Sequence, residues 1–400
     1  MAAPVVARVG GAKPGAQVIL DVEDLSVDFD TEDGVVKAVR GVSYQLRAGE
    51  VLGIVGESGS GKSVSSMALM GLLPRTATVS GSVRYRGTEL LGMARQELNH
   101  VRGAKIAMIF QDPMTSMNPV HRVGHQIAEV VRAHEDVTRH QAWDRAVEML
   151  DRVGIPNAPE RARCYPHEYS GGMRQRAMIA MAMANDPDIV IADEPTTALD
   201  VTVQAQILEA LEKVKAEFSS SIILITHDLG VVAGMADRVM VMYAGRAVEM
   251  GSVDAIYDGP RMPYTLGLLG ALPRLDADGN ERLVPITGAP PSLVNLPPGC
   301  PFQPRCPLAT DLCADQEPAL LATDDSNHLA ACHYSASLTG EISPDEVFEV
   351  TSADATLGAE LAAGASAVAS AVASSAASSV AEAEPIGAAE QANSPVEGPE

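Results

Sequence analysis

The run VLGIVGESGSGKS contains Gly56-x-x-x-x-Gly61-Lys62-Ser63, a spacing suited to holding phosphate. Glycines at 56, 59 and 61 let successive backbone N–H groups curl around oxyanions with no Cβ in the way. Gly56, Glu57, Ser58, Gly59, Ser60 and Gly61 therefore form an expected cradle. Lys62 is expected to reach the β- and γ-phosphates of a nucleoside triphosphate, and the Ser63 hydroxyl to ligate Mg²⁺. The flanks carry the assignment, because a Gly/Ser turn by itself would mimic it. A β-rich apolar run precedes the motif, and a helical stretch beginning VSSMALMGLL follows, adding positive potential at its N-terminus.

Two further groups of residues are suited to chemistry. DIVIADEP ends an apolar run in Asp193 and Glu194. The first suits a Mg²⁺ ligand, usually through water, and the second suits polarisation of an attacking water. Such a pair is weak by itself, since strand ends often carry solvated acids, and gains force from the phosphate loop upstream. Cys300, Cys306, Cys313 and Cys332 fall within 33 residues of a chain with five cysteines. They read as disulfide partners, metal ligands or small buried thiols. Their spacing, C-x5-C-x6-C-x18-C, follows neither a strand nor a helix period.

The elements that must position these groups are legible in outline. VLGIVG, KIAMIF, DIVIAD and SIILITH are continuous apolar runs bounded by polar or turn residues, as expected of strands buried on both faces of a mostly parallel sheet. With intervening helical stretches they predict an α/β domain over 19–258, after a flexible leader at 1–18. From 259 to 340 the composition turns Pro-rich and Cys-containing, which predicts a second, smaller module. Residues 341–400 are rich in Ala, Ser, Glu and Pro, and the run ASAVASAVASSAASSV lacks large apolar side chains, so a disordered acidic tail is expected. No internal repeat is present.

Net charge is −23, which would normally argue against a nucleic-acid partner, and none is expected here. That charge is unevenly placed: the last Lys or Arg is Arg305, and 341–400 holds eleven acids. The folded part is therefore closer to neutral, and the total is not itself a binding property. The N-terminal stretch has neither the apolar core nor the cleavage site of a secretory signal, and no run of 18 apolar residues exists. A cytosolic setting is therefore expected, where thiols stay reduced and disulfides are disfavoured.

HEYSGGMRQR makes the family recognisable. Ser170-Gly171-Gly172 before Arg174-Gln175-Arg176 resembles the signature sequence of ATP-binding cassette (ABC) ATPases. FQDP with Gln111, DEPTTALD with Asp193, Glu194 and Asp200, and ITHDL with His227 follow the same family pattern. The resemblance covers about residues 19–258 and implies a P-loop NTPase fold with a helical signature subdomain at about 112–180. It implies that ATP and Mg²⁺ are bound and that two cassettes sandwich two ATP molecules, each site split between partners. Ser170, Gly171 and Gly172 would face the γ-phosphate of a nucleotide held by the other subunit. Gln111 would link the Mg²⁺ site to the helical insertion and a membrane partner. His227 would contact the γ-phosphate, and Asp200 would lie at the dimer interface. An aromatic residue usually stacks on adenine just before the glycine matching Gly34; here Asp33 stands there, with Phe29 the nearest substitute.

GESGSGKS, FQDPMTSMNP and MYAGRAVEMG are similar to the ATPase subunits of oligopeptide and dipeptide importers. PYTLGLLGALP, ITGAPPSL and GCPFQPRCPLA resemble the C-terminal extension of those subunits, with Met262 in place of the usual His before Pro263-Tyr264. The implied activity is ATP hydrolysis powering import of di- or oligopeptides, with related importers carrying nickel or other small cargo. Implied partners are a second ABC ATPase subunit, two transmembrane permease subunits and an extracytoplasmic substrate-binding protein, with the chain at the cytoplasmic face of the membrane. Soluble ABC ATPases acting on DNA or ribosomes fit less well: Gly61 and Ser170 are 109 positions apart, no heptads appear, and there is one cassette. A soluble cassette of the iron–sulfur assembly type would lack the Pro/Cys-rich extension.

For the cysteines, structural zinc usually takes pairs two to four residues apart, and none is present. Wider thiolate spacing suits a 4Fe–4S cluster. The resemblance to importer ATPases whose extension carries such cysteines points the same way, so Cys300, Cys306, Cys313 and Cys332 are the expected ligands. Cys164 stands apart.

Overall fold

The computed structural model describes residues 16–112, 116–197, 200–272, 285–338 and 347–348. The chain opens with two long strands, β1 (Val18–Thr31) and β2 (Gly34–Arg47), which pair antiparallel through the turn joining Thr31 to Gly34. The strand β3 (Val51–Val55) leads into the phosphate loop, and β4 (Ala77–Tyr85) and β5 (Thr88–Glu89) then return to the first sheet in the order β2-β1-β4-β5.

The site stands on the second sheet. Its core is formed by β6 (Ile106–Ile109), β7 (Ile189–Asp193), β8 (Ser221–Thr226) and β9 (Arg238–Tyr243) with β3. These run parallel in the order β9-β3-β8-β7-β6. Every residue of β3, β7, β8 and β9 is buried, which is why they read as unbroken apolar runs rather than alternating ones. At the base of β3, Arg238 donates to Glu50 at 2.6 Å, both side chains buried, and the Val51 N–H donates to Asp237 at 2.8 Å.

The expected helical subdomain is built from the helices Val123–His134, Arg139–Arg152, Ala158–Arg161 and Gly171–Met183. Small and flexible side chains such as Ala142, Ala146, Met149 and Met178 let these helices pack closely on one another. Thr138 and Gln141 form a reciprocal capping box that fixes where the second helix starts.

After β10 (Arg246–Ser252) the extension departs from expectation. The helix Pro263–Gly270 and the hairpin of β11 (Leu321–Ala322) and β12 (Leu329–Ala330) do not form a separate module. β12 pairs antiparallel with β10, Glu249 opposite Ala330 and Met250 opposite Leu329, so the extension continues the cassette's own sheet. Tyr243 and Val248 of the cassette share one apolar core with Tyr264, Phe302, Cys300 and Cys313. Within the expected tail only Val347 and Phe348 are described, and both are buried in that same core. The boundary placed at 341 on composition is therefore too early; the rest of 341–400, like residues 1–15, lies outside the described residues. Among the described residues no helix is long and apolar enough to cross a membrane.

Candidate functional site

The phosphate loop leaves the C-terminal end of β3 and turns into the helix Lys62–Leu69. Gly56 has φ +148° and its missing Cβ would lie 2.2 Å from the Met242 carbonyl oxygen. Gly61, at φ +99°, would place a Cβ 2.4 Å from the Ala38 carbonyl. The loop thus rests directly on backbone at both ends, which only glycine allows. The Gly245 N–H supports it from below, donating to the Ser60 carbonyl at 3.1 Å. The helix receives no side-chain cap at Gly61, so its first-turn N–H groups remain to face an anion.

Lys62 is only 4% exposed, and its Nζ donates to the Gly56 and Glu57 carbonyls at 2.7 and 3.0 Å. Burial lowers its pKa, opposed by the charges of Glu194, Asp193 and Glu57. The ammonium is held by the loop it serves, at the place where phosphate oxygens would replace the carbonyls.

Ser63 Oγ donates to Asp193 Oδ1 at 2.9 Å. Burial pushes the Asp193 carboxyl up to about 6, with the Glu194 charge adding to the rise and the Ser63 hydrogen bond and Lys62 opposing it. A buried carboxyl short of compensating charge, beside a hydroxyl, is a donor set that fits a hard divalent cation.

Glu194 is in the left-handed region at φ +47°, its N–H donating to the Ile225 carbonyl at 2.8 Å. That conformation aims the carboxylate across the strand ends. Its Oε2 receives Thr197 Oγ1 at 2.7 Å and Gln111 Nε2 at 3.1 Å, with His227 Nδ1 at 3.5 Å. Burial would raise its pKa, but hydrogen bonds from His227 and Thr197, and the charges of His227 and Lys62, hold it at about 2. The same contact raises His227. Adjacent carboxylates are thus driven in opposite directions.

Gln111, Asp193, Glu194 and His227 meet because β6, β7 and β8 run parallel to β3 in one sheet, so the segments after their C-terminal ends open on one edge. That is where open α/β sheets bind ligands. Ser170 lies elsewhere: it caps the helix Gly171–Met183 by accepting from the Met173 N–H at 3.3 Å, and it and Gly171 are exposed. Gly172 is buried beside Val203. Among the described residues no hydrogen bond or ion pair joins this trio to 56–63. Asp200 caps the helix Val201–Phe218 through the Val203 N–H at 3.0 Å. Phe29 is buried in the core between the sheets, so its ring is no adenine platform, while Asp33 is exposed.

Three contacts had no signal in the sequence. Thr197 orients Glu194, and two residues of the extension take hold of Glu57. Arg305 pairs with the Glu57 carboxylate, and the Glu57 N–H donates to Tyr264 Oη at 2.8 Å. Within the cradle, the Glu57 amide is therefore already occupied by a protein acceptor.

The four clustered cysteines line one cavity, with Phe302, Met262 and Tyr334 among its walls. All five cysteines are free thiols; Cys164 packs in the helical core and its Sγ contacts the Glu160 carbonyl at 3.7 Å. Burial pushes Cys306 to about 12 and Cys332 to about 11. Backbone hydrogen bonds oppose the effect of burial at Cys300 and Cys306, and the Tyr334 N–H donates to Cys332 Sγ at 3.4 Å. Among the described residues no group of three or more His, Cys, Asp or Glu that could hold a metal ion is found.

Comparison with known proteins agrees with this geometry. The family model described as ABC transporter matches residues 39–197, and that described as oligopeptide/dipeptide transporter, C-terminal region, matches 248–313. The chain is 56% identical to the oligopeptide transport ATP-binding protein OppD of Mycobacterium tuberculosis over 82% of its own length, and spans about half (53%) of that relative. It is 54% identical to OppD of Salmonella typhimurium over 79% of its length and 94% of that protein. Among solved structures, a bacterial ABC transporter cassette described as dimeric superposes with a TM-score of 0.53 at 25% identity, covering 59% of this chain and 99% of that one.

Proposed function

This chain belongs to the ATP-binding proteins of ABC transporters, and from that premise we propose that it binds and hydrolyses ATP to power import of di- or oligopeptides. One observation carries the reading. Lys62, Ser63, Gln111, Asp193, Glu194 and His227 converge at one sheet edge whose phosphate loop is held by an extension of the peptide-transporter type.

In this reading Lys62 leaves the loop carbonyls for the β- and γ-phosphates, and the loop and first-turn amides supply further donors. Ser63, Asp193 and Gln111 would hold Mg²⁺, which when bound offsets phosphate charge. Glu194 orients and polarises the attacking water, and His227 turns from Glu194 to the γ-phosphate. Ser170 and Gly171, both exposed, complete the site of a second cassette together with Gly172, and Asp200 lies at that contact. The partners are a second ATPase subunit, two permease subunits and an extracytoplasmic substrate-binding protein, with this chain peripheral on the cytoplasmic face. ATP-dependent peptide uptake by the reconstituted complex tests the reading. Uptake abolished by Lys62→Ala is expected, and uptake independent of ATP would refute it.

For the cysteines the reading is a structural 4Fe–4S cluster on Cys300, Cys306, Cys313 and Cys332. Four sulfurs lining one cavity, one of them accepting the Tyr334 N–H, support this reading. Anaerobically purified chain is expected to be brown, with about four irons. Colourless, iron-free chain that assembles normally would exclude the cluster.

A further inference from the structure

Glu57 and Arg305 lie 248 positions apart in sequence. Arg305 Nη1 and Nη2 donate to Glu57 Oε2 and Oε1 at 2.6 and 2.8 Å, a fork that fixes orientation as well as distance. The guanidinium is itself tightly placed. Arg305 is 7% exposed, its Nε donates to the Thr287 carbonyl at 3.1 Å, and Nη1 reaches Tyr243 Oη at 3.3 Å. Its carbon sits 5.8 Å from the ring centres of both Tyr243 and Phe302. Those two rings and Tyr264 contact one another, with centroids 4.6–5.4 Å apart. Tyr264, wholly buried, accepts the Glu57 N–H. The residue after Gly56 is thus gripped by side chain and by backbone, from an element outside the cassette's catalytic strands.

This grip bears on the phosphate site because Lys62 Nζ is hydrogen-bonded to the Glu57 carbonyl. The position of Glu57 sets where the ammonium waits. It bears equally on the cysteine-lined cavity, because Arg305 ends the short turn Gln303–Arg305 between Cys300 and Cys306. The Gln303 N–H donates to the Cys300 carbonyl, the Arg305 N–H to the Phe302 carbonyl and the Cys306 N–H to the Gln303 carbonyl, so backbone hydrogen bonds tie the turn to both cysteines. A loop already held in its binding shape loses less conformational freedom when phosphate arrives.

We propose that Arg305 is a positioning residue for ATP: through its fork on Glu57 it couples the packing of the cysteine-lined extension to the shape of the phosphate loop, and so to nucleotide affinity. The proposal rests on the reading of the loop as the ATP site and adds to it the extension as a determinant of binding.

The test uses the full chain and a fluorescent ATP analogue with Mg²⁺, with melting temperature measured on each variant. Arg305→Ala is expected to weaken binding roughly tenfold or more, as loss of a charged hydrogen-bond pair does. Arg305→Lys should recover only part of this, since an ammonium cannot reproduce the fork. Glu57→Gln combined with Arg305→Ala should be no weaker than Arg305→Ala, the mark of one shared interaction. Coupling is reciprocal, so nucleotide should slow amide exchange at 300–306 in the wild type and not in Arg305→Lys.

If Arg305→Ala fails to fold, Arg305→Lys and Glu57→Gln carry the test. A folded Arg305→Lys of wild-type melting temperature and unchanged affinity overturns the proposal. So does wild-type exchange at 300–306 that ignores nucleotide. Failure of peptide uptake with this binding pattern intact would remove the importer reading alone, whereas a wild-type chain that binds no ATP removes both.

Discussion

Replacing Glu194 by Gln separates binding from chemistry. The substitution keeps the side chain's volume and an oxygen able to accept from Thr197 and Gln111, and removes the charge paired with His227. All three donors act on Oε2, and Oε1 has no protein donor among the described residues, which leaves it to meet a water. In the nucleotide-free protein the carboxylate is held at about 2, too weak a base to do much. Two of the groups responsible, Lys62 and His227, are those expected to turn to the phosphates. Once they do, the carboxylate loses part of that stabilisation and its basicity rises. The loss on substitution therefore falls on the hydrolytic step within the MgATP complex. A positioned base contributes about 10²–10⁴ in rate, or about 2.7–5.4 kcal/mol of barrier at 1.36 kcal/mol per decade. In the assembled transporter, kcat should fall at least about a hundredfold, at the low end of that range, with the dissociation constant for ATP barely changed. Near-wild-type turnover, or an equal loss in binding, would refute the role.

Three further outcomes follow from the same contacts. Gly56→Ala would force a Cβ to within 2.2 Å of the Met242 carbonyl, so the loop must shift; ATP-analogue titration should reveal much weaker binding while the helical core still melts normally. Asp193, held near 6 without nucleotide, carries a proton below that pH which Mg²⁺ must displace. The Mg²⁺ concentration needed for ATP binding should then climb as pH falls from 7 to 5 and level off above 7, and a flat profile would count against the assignment. A chain ending at 340 loses the buried Val347 and Phe348, the latter lying against Gly267, at a cost of about 2–4 kcal/mol. Thermal melting should expose that loss, and a chain ending at 350 should melt like the full-length protein.

Much of the site was legible because its determinants are local. The phosphate loop announces itself through glycines that its own backbone path requires, and Asp193 and Glu194 through their place at the end of an unbroken apolar strand. Five such motifs in order fix the family and the parallel sheet. What the order of residues could not supply is pairing across long separations. Asp193 and Glu194 are neighbours in sequence, yet burial raises one while His227 and Thr197 lower the other, because their backbones aim them into different surroundings. Phe29 has the composition of a stacking platform and is spent on the core. The extension looks separate by composition, but β12 completes the cassette's sheet through two backbone pairings that leave no mark on side-chain type. Arg305 reads in sequence as one basic residue among prolines and cysteines. Only the folded chain brings it to Glu57, since a contact closing 248 residues is set by how whole elements pack, not by any pattern within either segment.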